Sequence, residues 1–209
     1  TNVTESTTEA TTINFGADKI WNFADSVFSS YTERVNTTID GLDIYVPASA
    51  VEDRDGGVID GISFTRDIKL NKKAALNADD LKNAFGVNLK AGSVVTVYYK
   101  DNGSGGSFSL SDANMNVAAT VETGVSGEFN KCQLKADKDG YYYIHASGDA
   151  NSYVYGIGVT YPKTENDVAY VLKLLTGIVS ADENVKLQYD YNGNGRLDIS
   201  DVVALCGMV

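Results

Sequence analysis

The chain has 209 residues, 28 of them acidic against 17 basic, with a formal net charge of −11 and an isoelectric point near 4.4. So acidic a chain repels phosphate backbones, which excludes nucleic acid as a partner; no apolar run approaches the ~20 residues of a membrane span, and two cysteines, Cys132 and Cys206, make no disulfide framework. The length holds one ordinary domain and a small appendage.

The opening stretch TNVTESTTEATT, residues 1–12, reads as the tail of an interdomain linker. From Ile13 to Pro162 helical periodicity is absent. Short runs rich in Val, Ile, Tyr, Phe and Thr alternate with Gly, Asp, Asn and Ser clusters, which predicts an all-β sandwich or barrel. The expected strands are Leu42–Val46, Ile62–Leu70, Ala84–Leu89, Ser93–Lys100, Ser107–Leu110, Val117–Glu122, Phe129–Lys135, Tyr141–Ala146 and Tyr153–Thr160. The breakers include Gly56-Gly57, the run from Asp101 to Gly106, and the run from Ala136 to Gly140. Asn77 to Lys82 reads as one helical turn capped by Asn77.

Within this region Trp21 reads as a core anchor, the alternative being an exposed face for sugar stacking. Strand alternation must turn some rings of Tyr98-Tyr99 and Tyr141-Tyr142-Tyr143 outward, where a row could form a binding platform. His145, the lone histidine, reads as structural, and both cysteines read as buried thiols in different modules. Asp53, Asp55 and Asp60 read as a solvated acidic loop, with a structural calcium site as the alternative.

Pro162 closes the β region. A helix is expected to start after Thr164, with Asp167 completing a capping box, and to stop at Gly177. Next comes DYNGNGRLDISD, Asp190 to Asp201. A calcium ion takes about six to eight oxygens, and the EF-hand loop supplies them from alternate positions around a central glycine. Here Asp190, Asn192, Asn194, the Arg196 carbonyl, Asp198 and Asp201 fall on those positions, with Gly195 at the sharp turn and Leu197 as an apolar pin. An Asn/Gly-rich surface turn would have no need of the far acid. Asp201 stands where a bidentate Glu is usual. In the helix that follows, Val202, Leu205 and Cys206 are expected on one buried stripe.

The two helical units are offset by 34 residues, from Asp167 to Asp201, and the loop ends in DISD. This pattern from Thr164 to Val209 resembles a dockerin, the calcium-binding module that attaches cellulosomal proteins to a cohesin. The resemblance implies Ca2+ as cofactor, and the cohesin of a scaffoldin or cell-surface protein as partner. It also implies secretion to the extracellular cellulosome of an anaerobic bacterium. Ile199, Ser200 and Val203 become the implied cohesin-contacting positions. A first calcium loop would fall on Gly156 to Asp167, which lacks the acids, so one ion is expected and not two.

The runs KIWNFAD, DGISFTRDIKL and YVYGIGVTYP resemble β-sandwich modules attached to pectate lyases, including pectin-binding ones. That resemblance implies plant cell-wall polysaccharide as ligand, with Arg66 and Lys69 as the basic contacts, joined by Trp21 and Tyr98 as aromatic candidates. Asp67 departs from the pattern, since an acid there repels polygalacturonate.

The expected fold is therefore mainly β: a jelly-roll-like β-sandwich over 13–162, followed by a small α-helical, EF-hand-like dockerin over 163–209. No nucleophile motif, phosphate loop or zinc cluster is visible, and the chain reads as non-catalytic. The alternatives are a sandwich that only supports the dockerin and binds no glycan, a part of a larger polysaccharide-degrading enzyme, and an undetected catalytic sandwich.

Overall fold

The computed structural model describes residues 18–31, 36–45, 51–70, 76–77, 81–103, 106–148, 151–183, 186 and 189–209. The Thr-rich segment 1–12 and residues 78–80 of the expected helical turn lie outside the described residues. In chain order the elements are β1 (Lys19–Asn22), a 3-10 turn (Ser26–Phe28), β2 (Thr37–Ile39), β3 (Leu42–Tyr45), β4 (Val51–Ile59), β5 (Ile62–Leu70), β6 (Ala84–Leu89), β7 (Val94–Asn102), β8 (Gly106–Asp112), β9 (Val117–Glu122), β10 (Phe129–Lys135), β11 (Gly140–Gly148), β12 (Asn151–Thr160), α1 (Glu165–Leu175) and α2 (Ile199–Cys206).

The strands form two antiparallel sheets. The first runs β10-β7-β12-β5-β4, with β1 also paired to β12; the second runs β2-β3-β6-β11-β8-β9. From β5 to β8 the chain crosses between sheets at every step, and from β9 to β12 it does so again. That path is a jelly-roll-like sandwich. Its core takes alternate residues of each strand, among them Ile44, Phe85, Val97, Leu110, Tyr142, Ile144 and Ile157, all nearly inaccessible.

Two strands depart from expectation. The Gly56-Gly57 pair does not break a strand but lies inside β4, at the irregularity between Asp53 and Gly57. The acidic run is thus a strand and not a loop. Glycine is required there because β4 presses on the rings of the first sheet. A Cβ at Gly56 would stand 2.6 Å from the Phe64 carbonyl, and one at Gly57 would stand 2.6 Å from the Phe129 ring. β2 pairs with β3 through the Asp40-Gly41 turn, and β4 with β5 through Asp60-Gly61. Both residues of each turn have positive φ, from 52° to 82°, the geometry of a two-residue hairpin.

The helical tail joins the sandwich directly. Tyr161 N–H donates to Asp18 Oδ1 at 2.8 Å and the Tyr161 hydroxyl donates to the Asn88 carbonyl at 2.9 Å. Lys163 Nζ lies 2.7 Å from Asp18 Oδ1 and 5.6 Å from the Tyr191 ring. The segment that would align with a first calcium loop is occupied from Gly156 to Thr160 by β12. α1 begins at Thr164 with the expected capping box: Asp167 Oδ2 accepts from Thr164 N at 2.7 Å. Gly177 follows its end with φ +72°. Val171, Val202 and Leu205 form a core separate from that of the sandwich, with Leu197 packed on it.

Candidate functional site

The tail brings together the oxygens of the loop between Asp190 and Asp201. Gly193 and Gly195 take φ of +73° and +83°, which turns the chain tightly enough for its side chains to bond the loop's own backbone. Asp190 accepts from Asn194 N at 3.1 Å and from Gly195 N at 2.7 Å. Asn192 Oδ1 accepts from Asn194 N at 2.9 Å, and Asn194 Oδ1 from Arg196 N at 3.0 Å. Asp201, wholly buried, ties the two ends of the loop: Oδ1 accepts from Asn192 N at 3.1 Å and Oδ2 from Asp198 N at 2.8 Å. Asp198 caps α2, and its hydrogen bonds from Ser200 hold its carboxyl well below the usual range, at about 2.

This donor set fits a hard cation: carboxylates, two amide oxygens and a backbone carbonyl, with no nitrogen or sulfur ligand. Among the described residues no three carboxylate, imidazole or thiol groups converge to hold a metal by themselves. The asparagine oxygens and the Arg196 carbonyl are therefore integral to any site here. Asp198 Oδ2 also accepts from Arg196 Nε at 2.8 Å, so that side chain neutralises part of the loop's charge.

α2 starts two residues earlier than Asp201, which places Ile199 and Ser200 in its first turn. Val202 and Leu205 are buried, but Cys206 is exposed, which corrects the expected stripe. Position 206 lies one residue beyond Leu205, about 100° around the helix and off its buried face. Cys132 is buried as expected; burial pushes its thiol up to about 12 and leaves it unreactive at neutral pH. Ile199 and Val203 are 65% and 69% exposed, four residues apart on one helical face.

The four residues singled out in the sandwich do not converge. Trp21 is 4% exposed and donates its indole N–H to the Asp40 carbonyl at 2.9 Å, so it is a core anchor and offers no face to a sugar. Tyr98 is also 4% exposed, stacked on Phe64 at 4.6 Å between centroids beneath the β4–β5 hairpin. That hairpin is held across the sheet by Lys131 Nζ, 2.5 Å from Asp60 Oδ2. Arg66 donates to the carbonyls of Phe28 at 3.2 Å and Tyr31 at 3.4 Å and lies 3.8 Å from Asp53 Oδ1. It ties the 3-10 turn to β5. Lys69 is half-buried, 6.0 Å from the Tyr153 ring, over which the Arg54 guanidinium lies at 4.2 Å. Asp53, Asp55 and Asp60 do not gather: Asp53 faces Arg66 and Asp60 faces Lys131.

Asp67 offers no free carboxylate to this face. Its side chain is wholly buried and bonded to Arg54 at 2.9 Å, with Oδ2 unpartnered among the described residues. Burial pushes its carboxyl up to about 7 against the pull of Arg54. The unfolded carboxyl titrates near 4, so between about pH 4 and 7 the folded chain binds a proton that the unfolded chain does not. Stability contributed here is therefore full below pH 4 and falls as pH rises to 7, by a few kcal/mol at most. Asp112, held down to about 2 by Lys138 and Asn116, has the opposite sign and acts only below pH 4. The melting temperature of the sandwich is expected to fall from pH 4 to 7 relative to Asp67→Asn. Parallel melting curves for the two proteins across that window would refute the assignment.

The second sheet carries a different outer face. Tyr142, Ile144 and Ala146 point into the core, so Tyr141, Tyr143 and His145 point out. Registers align Tyr45, Ala84, His145, Ser109 and Thr120 in one row across five strands. Tyr143 lies 5.9 Å from Tyr45 and 5.2 Å from Tyr141 between ring centroids. The Tyr45 and Tyr141 hydroxyls are 3.1 Å apart, and Tyr141 also donates to Asp43. Glycine at 86 is needed because a side chain would occupy the space of the Tyr141 phenol. His145 Nε2 is 3.0 Å from Ser111 Oγ, and desolvation lowers its pKa, so the ring is neutral at pH 7. Ser111 is 1% and His145 9% exposed, which makes the pair a cross-strand strut and not an accessible nucleophile and base. Tyr45 is not among the expected platform residues: it is 96 residues from Tyr141, and only the topology joins them.

No family model matches the chain, and no curated protein matches it. Solved structures give distant likenesses. One chain, described under glycan recognition in the Ruminococcus flavefaciens cellulosome, matches at 12% identity over 70% of this chain and 95% of its own, with a TM-score of 0.38. The CBM51-2 and INT domains of Clostridium perfringens ZmpB, in complex with GlcNAc, match at 8% identity over 81% of this chain and 43% of theirs, TM-score 0.38. The CBM22-1–GH10 modules of Clostridium thermocellum xylanase 10B, in complex with xylohexaose, match at 18% identity over 62% and 27%, TM-score 0.37. Likenesses at this distance assign no function, and the fold rests on the chain's own two sheets.

Proposed function

We propose that this chain is a non-catalytic, extracellular attachment protein of the cellulosome type. Its tail docks on the cohesin of a scaffoldin or cell-surface protein, and its β-sandwich binds plant cell-wall polysaccharide. The observation that carries the docking reading is the pair of exposed apolar side chains, Ile199 and Val203, on the helix that the 190–201 loop caps. An isolated helix of this length would not stand in water. The loop fixes it by tying Asn192 and Asp198 to the buried Asp201 carboxylate. Calcium, held by Asp190, Asn192, Asn194, Asp198, Asp201 and the Arg196 carbonyl, would supply the positive charge that lets three carboxylates share one loop. Ser200 stands beside Ile199 as the polar member of the docking face.

The test is calorimetric titration with a panel of cohesins, first with calcium and then with EDTA. Tight binding to at least one cohesin, abolished by EDTA, is expected; silence across the panel would overturn the docking reading. A second reading, in which the sandwich only supports the tail, is favoured by the clamp from Lys163 to Asp18 and Tyr191. A glycan screen separates the two.

A further inference from the structure

The six strands of the second sheet contain no lysine or arginine, whereas the first sheet's strands carry Lys19, Arg54, Arg66, Lys69, Lys100, Lys131 and Lys135. The outer face of the second sheet bears Asp43 and Glu122 as its charged side chains. Asp43 is engaged by Thr38 and by Tyr141, which fixes the phenol ring rather than leaving the carboxylate free. Beside the three tyrosines the face carries the buried Ala84 and His145 and, toward β9, a group of hydroxyls. Ser109 Oγ lies 3.0 Å from Thr120 Oγ1 and 3.3 Å from Ser147 Oγ, and Ser107 lies 2.8 Å from Ser147.

We propose that this face, with Tyr45, Tyr141 and Tyr143 as its apolar half and the exposed Thr120 and half-buried Ser107 and Ser147 hydroxyls as its polar half, held in place by the buried Ser109, binds a neutral polysaccharide chain. The proposal deepens the polysaccharide-binding reading above and rests on it. Sugar rings present an apolar C–H face and a rim of hydroxyls, and the row offers both in order. Tyrosine rings, half-buried and locked by their mutual contacts, supply flat apolar area at little entropic cost. Serine and threonine hydroxyls both donate and accept, as sugar hydroxyls do. From β3 to β9 the row crosses four strand spacings, about 19 Å, which suits an oligosaccharide segment better than a single sugar. Charge decides the class. A uronate chain needs unpaired cations; this face has none on its strands, and Lys138 beside Tyr141 is paired with Asp112 at 2.7 Å, in a chain of net charge −11. That rejects polygalacturonate and favours an uncharged glucan, xylan or galactan backbone.

Affinity electrophoresis and calorimetry of the full chain test it, with soluble xyloglucan, arabinoxylan, β-glucan and galactan against polygalacturonate. Binding to a neutral polymer is expected. Tyr45→Ala and Tyr143→Ala should each weaken it by about tenfold or more, with the melting transition retained. If a variant fails to fold, Thr120→Lys, which replaces an exposed hydroxyl at the row's edge with a cation, carries the same comparison. Neutral-glycan binding that survives these changes but is lost in Lys69→Ala would move the site to the first sheet and overturn this proposal alone. Preference for polygalacturonate would overturn the neutral class. No binding to any polymer would overturn the polysaccharide reading itself and leave the sandwich as support for the tail.

Discussion

Chelation of calcium is expected to unfold the C-terminal helices and abolish docking while the β-sandwich stays folded. Among the described residues the tail's core is small: Val171 and Leu205 are wholly buried and Val202 nearly so, with Val168, Leu175, Tyr189, Tyr191 and Leu197 half-buried around them. Full burial of such a side chain contributes about 1.5–3 kcal/mol, whereas ordering each residue of the segment 163–209 costs about 1 kcal/mol or more. Such a core does not close by packing alone. The loop adds Asp190, Asp198 and Asp201 within one turn of chain, and without a counter-ion their repulsion opposes closure. EDTA should therefore remove helical signal at 222 nm and leave the sandwich's thermal transition in place. Asp201→Ala should do the same in the presence of calcium, because it removes the group that joins Asn192 to Asp198. Asp190→Ala should abolish cohesin binding with the sandwich intact. Helicity and docking that persist in EDTA would show that the loop folds on its own hydrogen bonds.

Much of this was legible in the residues. Ile62–Leu70, Ala84–Leu89, Val117–Glu122 and Phe129–Lys135 have the expected bounds, because β-branched runs there are closed by strong turn residues. α1 begins at its capping box for the same local reason. β2 and β4 are not among the expected strands. Their signal was present in the paired runs Ile39-Asp40-Gly41-Leu42 and Ile59-Asp60-Gly61-Ile62, each an Asp-Gly hairpin between apolar residues. β4's acids and glycines masked it, since its side chains answer to a covering role over Phe129 and Tyr155 and not to a two-faced strand pattern. The site was half legible. Alternation puts Tyr141 and Tyr143 on one face, but it does not tell which face is solvent. On β7 it fails outright, because Tyr98 faces outward and is still covered by the β4–β5 hairpin. Long-range register, which brings Tyr45 beside Tyr143, is a property of the fold and leaves no local trace.

The sharpest test of that fold lies in two glycines of β12. Neither Gly156 nor Gly158 has a backbone conformation that requires glycine, so only space distinguishes them. At Gly156 a Cβ would stand 2.8 Å from the Trp21 carbonyl and 2.9 Å from Phe64 Cε1. At Gly158 the nearest atoms are 3.5–3.6 Å away, ordinary contact. The difference follows from the bulge at Tyr155, where β12 turns from pairing with β5 to pairing with β1. Here the backbones meet closely: Phe23 N donates to the Tyr155 carbonyl at 3.0 Å, and Asn22 Nδ2 to the Ser63 carbonyl at 2.8 Å. Neither obstacle can step aside, since the Trp21 carbonyl is backbone and Phe64 is stacked on Tyr98. Gly156→Ala must therefore push β1 off β12 or force Phe64 from its well. Such overpacking costs about 2–3 kcal/mol, or roughly 5–10 °C in the sandwich transition. Gly158→Ala should leave that transition within about 2 °C, the ±0.5 kcal/mol scale of benign substitutions. Calorimetry of the two variants decides the matter. Equal losses would mean that β1 is held loosely and that Trp21 anchors the core from β12's side alone. A loss confined to position 156 would locate the clamp where β1 seals the first sheet, on the opposite side of the core from the tyrosine row.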